Sequence, residues 1–99
     1  MKVTVKSMVR INSPTGLRGY ATVELEDEPS NFFMRIENLK IKDIEKDGRK
    51  KTIVTSPSYE TSDKEGNKSW RDLVYVRGQT WWDITNTILE EFFASRPAE

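Results

Sequence analysis

The stretch GQTWWDITNTILEEFF, Gly78 to Phe93, decides the fold because it has the apolar spacing of a helix and follows segments that alternate like strands. Residues three and four positions apart lie on one face of an α-helix. One apolar stripe at this spacing consists of Trp81, Ile84, Ile88 and Phe92. Thr80 is suited to cap the helix, and Asp83, three residues later, completes a shortened capping box. The stretch therefore predicts a helix that begins near Thr80 and places Trp81 in the core.

The same helix carries a second apolar stripe. Neighbouring helical residues point about 100° apart, so Trp82 cannot share the centre of the first stripe with Trp81. The second stripe consists of Trp82, Leu89 and Phe93. If exposed together, these side chains form a larger apolar patch than soluble monomers usually tolerate. Three interpretations remain open: a homodimer contact, a broad intramolecular core beneath a polar loop, or a contact with another protein or a stacked base.

Two alternating segments near the N-terminus predict a β-hairpin. Apolar residues at every second position indicate a half-buried strand. In the first segment these residues are Val3, Val5, Val9 and Ile11, and in the second they are Leu17, Ala21, Val23 and Leu25. The intervening SPTG, Ser13 to Gly16, places proline and glycine where a β-turn favours them.

The middle of the chain predicts three further strands. In NFFMRIENLKIKDI, residues 31–44, the apolar spacing shifts part-way, which indicates a strand with a bulge or bend, with a helix as the alternative. The Asp47-Gly48 turn signal before the β-branched run 52–55 favours the strand. Residues 61–69 are polar and are expected to form a mobile loop. A short fifth strand is expected at 70–77, with Trp70 in the core.

These elements predict one α+β domain, residues 1–99, in which an antiparallel sheet of about five strands carries one C-terminal helix. The tail from Ala94 is expected to fray. A chain of 99 residues builds only a modest core, so association into an oligomer is expected.

Composition excludes several classes of function. The chain has 16 basic and 16 acidic residues, so no global field attracts phosphate or a membrane surface. It has neither cysteine nor histidine, which excludes disulfides, thiolate metal sites and the usual neutral-pH proton shuttle. The acidic run from Glu24 to Glu28 lacks the spacing of a calcium loop and is better interpreted as a solvated turn. No cofactor, metal site or enzymatic activity is expected, and a pairing of Ser58 with a lysine is too common a combination to indicate one.

The N-terminus has no apolar run suited to a signal peptide, and no run of apolar residues is long enough to span a membrane. We therefore expect a cytoplasmic protein without membrane contact.

With no net charge, any nucleic-acid site has to be local. Lys50 and Lys51 follow the Asp47-Gly48 turn, and Arg71 and Arg77 bracket the fifth strand. These residues are candidate phosphate contacts. The competing interpretation is that they are simply solvated.

A second group of candidates belongs to the first hairpin. Even spacing predicts one shared sheet face for Lys2, Lys6, Arg10, Arg18 and Tyr20. Basic side chains beside an aromatic ring on an open sheet face hold single-stranded nucleic acid by charge and stacking. A merely water-exposed face is the alternative.

The order of these segments resembles the SpoVG family (stage V sporulation protein G) from about Val3 to Phe93. The motifs that carry the resemblance are Arg10 to Asn12, Pro57-Ser58 at the end of the fourth strand, and Arg71-Asp72 before the fifth. The resemblance implies a small α+β fold whose protomers associate through their sheets. It also implies a bacterial cytosolic regulator linked to septation, sporulation or gene expression, with several members binding DNA or RNA.

This chain departs from the family where the last helix begins. Related proteins carry basic residues on the first turn, whereas this chain has Trp81, Trp82 and Asp83. Two functions follow. The first is a SpoVG-like regulator that binds DNA or RNA as a homodimer through sheet-face and loop residues. The alternative is a protein-interaction module of the same fold, in which a tryptophan-lined surface replaces the phosphate contacts.

Overall fold

The computed structural model describes residues 1–94. Ala94, where fraying was expected to begin, is the last residue of the helix, and the rest of the predicted fraying, at 95–99, lies outside the described range. The chain forms an α+β fold with two antiparallel sheets and one C-terminal helix, so the predicted class is confirmed. The elements are β1 (Lys2–Arg10), β2 (Leu17–Asp27), β3 (Phe32–Lys46), β4 (Arg49–Thr55), β5 (Ser58–Ser62), β6 (Lys68–Asp72) and α1 (Gly78–Ala94). Strands β1 to β4 form a meander in chain order, and β5 pairs with β6 in a separate two-stranded sheet.

The core lies between α1 and one face of the four-stranded sheet, which we call the inner face. Its buried side chains are Ala21, Val23, Leu25, Ile36, Leu39, Ile41, Val54, Ile84, Ile88 and Phe92. Trp81 is half-buried against this cluster, as the first helical stripe predicts. Each buried aliphatic side chain contributes about 1.5–3 kcal/mol, so this single layer accounts for most of the apolar stabilisation. The opposite, outer face carries no helix from the described part of the chain.

The predicted β1–β2 hairpin is confirmed, but its alternation changes at a bulge. Val5 pairs with Val23, whereas the next pair joins Ser7 to Thr22, so Lys6 is an extra residue in β1. A bulge of this kind reverses the side on which the following residues point. Met8 therefore packs against the core, while Val9, expected inside, is 58% exposed.

The predicted irregularity in β3 is also confirmed. Ala21 pairs with Leu39 and Val23 with Ile36, so two β3 residues lie opposite one residue of β2. One of them, Asn38, has φ of 62°. Asparagine tolerates this left-handed conformation better than most residues do, and the bulge lets both Ile36 and Leu39 reach the core.

The β3–β4 connection is the two-residue turn that Asp47-Gly48 predicts. Both residues have positive φ, 54° and 74°, and Lys46 pairs directly with Arg49. Positive φ at both central positions is the requirement of a type I′ hairpin turn. From there to Lys40 and Thr55 the ladder continues without a bulge.

Two predictions for residues 61–77 are wrong. The polar segment at 61–69 is not a loop throughout, because β5 and β6 pair across it. The connection is ordered by Asp63, whose carboxylate accepts backbone N–H groups of Glu65 and Asn67, both at 2.9 Å. The contacts with Asn67 are the main reason that the pKa of Asp63 lies below its usual value. The following strand ends at Asp72, before the predicted limit.

The expected core position of Trp70 is also wrong, since 64% of this residue is exposed. The reason is that β5 and β6 form a separate pair, and every residue of β6 is exposed.

The helix begins earlier than predicted. Gly78, with φ of 66°, is its first residue, so Thr80 lies within the first turn instead of preceding the helix. Asp83 accepts a hydrogen bond from Gln79 Nε2 at 2.9 Å, in place of the predicted capping box. Helix α1 contacts β1 and β4 and so crosses the inner face between the two edge strands. Within residues 1–94, no helix has the length and apolarity that a membrane crossing demands.

Candidate nucleic-acid interface

The β3–β4 ribbon separates its charges between the two faces of the sheet. Ile41 and Val54 are paired core residues, so every second residue from them points to the inner face and the others point to the outer face. The outer-face cations, which we call the basic strip, are Lys40, Lys42, Lys46, Arg49 and Lys51. The acidic residues Asp43 and Glu45 fall on the inner face, and Asp47 occupies the turn. Every charged side chain on the outer face of the ribbon, residues 40–55, is therefore basic, although the chain has no net charge.

Lys50 and Lys51, predicted as a pair, lie on opposite faces. Lys51 pairs with Ile44 and belongs to the basic strip, whereas Lys50 pairs with Glu45 on the inner face. The charge of Lys50 also contributes to lowering the pKa of Asp43. Only Lys51 of the two is placed to act with the other cations of the strip.

Arg18 is occupied by an internal ion pair. Its Nε donates to Asp43 Oδ2 at 2.6 Å, while Thr52 Oγ1 donates to Asp43 Oδ1 at 2.7 Å. The hydrogen bond from Thr52, followed by that from Arg18, holds the pKa of Asp43 below its usual value. A shallow groove of about 460 Å³ lies beside this ion pair, between the β1–β2 turn and Lys50. Arg18 therefore reaches a carboxylate of the inner face, and the prediction that it shares a face with Lys6 is wrong.

Lys6 is similarly engaged on the outer face, at the other end of the sheet. Glu24, only 7% exposed, accepts hydrogen bonds from Arg35 Nε at 2.9 Å and from Arg35 Nη2 at 2.7 Å. Lys6 Nζ lies 3.6 Å from the same carboxylate. The Arg35 hydrogen bonds, aided by the charge of Lys6, lower the pKa of Glu24 against the opposing effect of burial. The cation of Lys6 is thus already paired with a carboxylate.

Arg10 does not lie on the outer face, contrary to the sequence prediction. The bulge at Lys6 turns it to the inner face, where Nη2 donates to the backbone carbonyl of Phe92. Its guanidinium carbon lies 4.4 Å from the centre of the Phe92 ring. A cation at the last turn of a helix compensates the carbonyls that have no intrahelical partner. Arg10 therefore fastens the end of α1 to β1.

Arg71 and Arg77 are exposed, but neither lies on the basic strip. Arg71 pairs with Tyr59 in the small sheet, and it points away from the side that its neighbour Trp70 occupies. Arg77 lies just before α1, with its guanidinium carbon 5.0 Å from the centre of the Tyr75 ring. Both remain available cations at a separate position.

The residues of the second helical stripe differ in how far they are buried. Leu89 is half-buried against the core, whereas Trp82 is 63% exposed and Phe93 is about half exposed. The rings of Phe92 and Phe93 lie 5.4 Å apart. The stripe is therefore only partly covered by its own chain within residues 1–94.

The basic strip contains residues that the sequence analysis did not select. Lys40, Lys42, Lys46 and Arg49 were all missed. The signal was present in KIKDIEKDGRKK, because period-two spacing around a two-residue turn brings these side chains to one face.

One end of the basic strip touches the small sheet. Lys40 Nζ lies 3.3 Å from Ser58 Oγ and 4.9 Å from the centre of the Trp70 ring. A lysine side chain over an aromatic face makes a cation–π contact. Lys40 thus joins the basic strip to both Ser58 and Trp70. Among residues 1–94, no group of acidic side chains has an arrangement that could hold a metal ion.

No family model, curated protein or solved structure matches this chain.

Proposed function

We propose that this chain is a SpoVG-like regulatory protein that binds DNA or RNA through the basic strip and acts as a homodimer. The observation that carries the proposal is the separation of charge across the β3–β4 ribbon, with five cations on the outer face and Asp43 and Glu45 on the inner face. The regulatory role in septation, sporulation or gene expression and the cytoplasmic location rest on the family resemblance.

The physical reason is that phosphate binding depends on local cations and not on net charge. Each lysine or arginine that neutralises a phosphate releases condensed counterions and adds to the affinity. Lys46, Arg49 and Lys51 are exposed, and Lys40 and Lys42 are half-buried beside them. A rigid ladder holds these charges in rows, so a phosphate backbone can contact several of them at once.

The other predicted cations support the proposal less well. Moving Lys6 or Arg18 onto a phosphate would remove a cation from Glu24 or Asp43, and moving Arg10 would release the end of α1. Breaking an existing charged hydrogen bond offsets what a new phosphate contact contributes. Arg71 and Arg77 are secondary candidates, because they are exposed but lie away from the strip.

Adjacent lysines on opposite faces provide the test. Lys51→Glu reverses a charge on the basic strip, and Lys50→Glu makes the same change on the inner face. We expect Lys51→Glu to weaken binding of a labelled oligonucleotide at low salt in fluorescence anisotropy, with Lys50→Glu close to the wild type. Equal affinities for the wild type and Lys51→Glu would refute the assignment of the strip, and equal losses in both variants would show a non-specific charge effect.

A protein-interaction module is the second candidate, favoured by one observation. Trp82 and Phe93 remain exposed on a helix whose residues 78–94 include no lysine or arginine. Exposed aromatic side chains of this kind are typical of protein contacts. The same surface is the proposed homodimer contact. Loss of self-association in Trp82→Ala, measured by sedimentation, would support a role of this surface in that contact. Unchanged self-association would exclude Trp82 from the contact.

A further inference from the structure

Trp70 is placed beside the basic strip although it is not part of the core. The ammonium of Lys40 lies 4.9 Å from the centre of its ring, and Lys40 also bonds Ser58, the first residue of β5. These contacts tie the small sheet to the end of the strip. The indole nevertheless stays 64% exposed.

An exposed indole next to cations matches one class of ligand. Every nucleobase has a π face, and stacking on an aromatic side chain is sequence-tolerant. In a duplex those faces are already covered by neighbouring bases, whereas in a single strand they are accessible. A flat basic surface alone would serve a duplex equally well, so Trp70 is the feature that discriminates between the two.

The spacing of the cations is compatible with a strand that runs along β3. Lys40 and Lys42 are two residues apart on the same face, which places them about 7 Å from each other. Lys51 continues the same face on the neighbouring strand. A base over Trp70 would thus leave its own phosphate and the next ones close to these ammonium groups.

We propose that the ligand of this face is single-stranded nucleic acid, with a base stacked on Trp70 and the adjoining phosphates bound by Lys40, Lys42 and Lys51. This inference rests on the proposed function, because it names the ligand of the same basic strip. It adds the preference for a single strand and assigns Trp70 as a contact.

Phe33 provides a control at an exposed aromatic side chain to which no contact is assigned. It is 55% exposed, comparable to Trp70, but it pairs with Glu26 and lies seven residues before Lys40 in β3. A general effect of removing an exposed aromatic side chain should therefore be the same at both positions. A stacking effect should appear only at Trp70.

The experiment compares a labelled oligothymidylate of about 12 nucleotides, within the usual site size for such surfaces, with a duplex of the same length. The wild type should bind the single strand more tightly than the duplex at equal salt. Trp70→Ala should weaken single-strand binding about tenfold or more, Trp70→Phe should retain most of it, and Phe33→Ala should match the wild type. Equal losses for Trp70→Ala and Phe33→Ala, or a wild type that prefers the duplex, would overturn the inference.

Tryptophan emission gives an independent readout that does not depend on the stability of the alanine variant. The single strand should quench the emission of the wild type, and Trp70→Phe should remove that quenching. Persistent quenching in Trp70→Phe would overturn the stacking contact.

The two proposals fail differently. Weak binding by Lys51→Glu together with unchanged binding by Trp70→Ala would refute stacking and leave the basic strip supported. Absence of binding to either oligonucleotide at low salt would refute both.

Discussion

Replacing Arg10 with alanine tests whether this residue fastens the helix or belongs to a nucleic-acid surface. The substitution removes the hydrogen bond to the Phe92 carbonyl and the contact with the Phe92 ring. A cation at a helix C-terminus contributes about 0.3–1 kcal/mol when exposed and up to about 2 when partly buried. A cation–π contact contributes about 0.5–2 kcal/mol. Because the two terms share one guanidinium, we expect a combined loss of about 2 kcal/mol in the free energy of unfolding.

For a domain of this size, such a loss lowers the melting temperature by roughly 10 °C. Thermal unfolding followed by circular dichroism measures it directly. Arg10→Lys is the matched control, because it retains the charge near the carbonyl but loses the planar guanidinium on the ring. Its melting temperature should therefore lie between those of the wild type and Arg10→Ala. A change of less than about 2 °C in Arg10→Ala, or a large loss of oligonucleotide affinity at full stability, would refute the structural role.

Three further predictions concern the core, an ion pair and a close backbone contact. Ile88→Ala should lower the free energy of unfolding by about 2–5 kcal/mol in urea titration, whereas Trp82→Ala should change it by only about 0.5 kcal/mol; similar losses would make Trp82 an ordinary core residue. The pKa of Glu24 is lowered in the fold by guanidinium hydrogen bonds, so its contribution to stability is present above the ordinary value of 4.5 and is lost as pH falls through the lowered pKa. Glu24→Gln should therefore reduce the slope of stability against pH at acidic pH. An unchanged slope would contradict the conclusion that the fold lowers the pKa of Glu24. A Cβ at Gly19 would lie 2.3 Å from the Val9 carbonyl oxygen, so Gly19→Ala should destabilise by about 1–3 kcal/mol; a neutral result in thermal unfolding would show that β1 moves freely.

Local patterns predicted the parts of the fold that local physics determines. The helical stripe of Ile84, Ile88 and Phe92 is buried as its spacing requires, and Asp47-Gly48 forms the turn that positive φ at both positions favours. The shift of apolar spacing within β3 likewise predicted its bulge. In each case a few neighbouring residues contain the whole signal.

The bulge at Lys6 could not be predicted, because both possible alternations after it contain an apolar residue. Val9 continues the pattern of Val3 and Val5, while Met8 fits the reversed one. The contact of Arg10 with the end of α1, more than eighty residues away, exists only with the reversed alternation. The periodicity of a sequence carries no information about such long-range contacts. This explains why Arg10 was assigned to the wrong face.

The candidate site was only partly predictable for a different reason. Alternation across the Asp47-Gly48 turn would have separated Lys50 from Lys51 and added Lys42 to the candidates, so this information was in the sequence. The approach of Trp70 to Lys40 could not be predicted from the sequence, because nothing local indicates that β5 and β6 pair separately and leave the indole exposed.

The most direct test of the basic strip is the salt dependence of single-strand binding. Plotted as the logarithm of affinity against the logarithm of salt concentration, each phosphate contact with a single strand contributes about 0.7 to the slope. The double variant Lys42→Ala with Lys51→Ala should therefore reduce the slope of the wild type by about 1.4, and Lys50→Ala should leave it unchanged. Identical slopes for the wild type and the double variant would contradict the assignment of this face as the phosphate-binding surface.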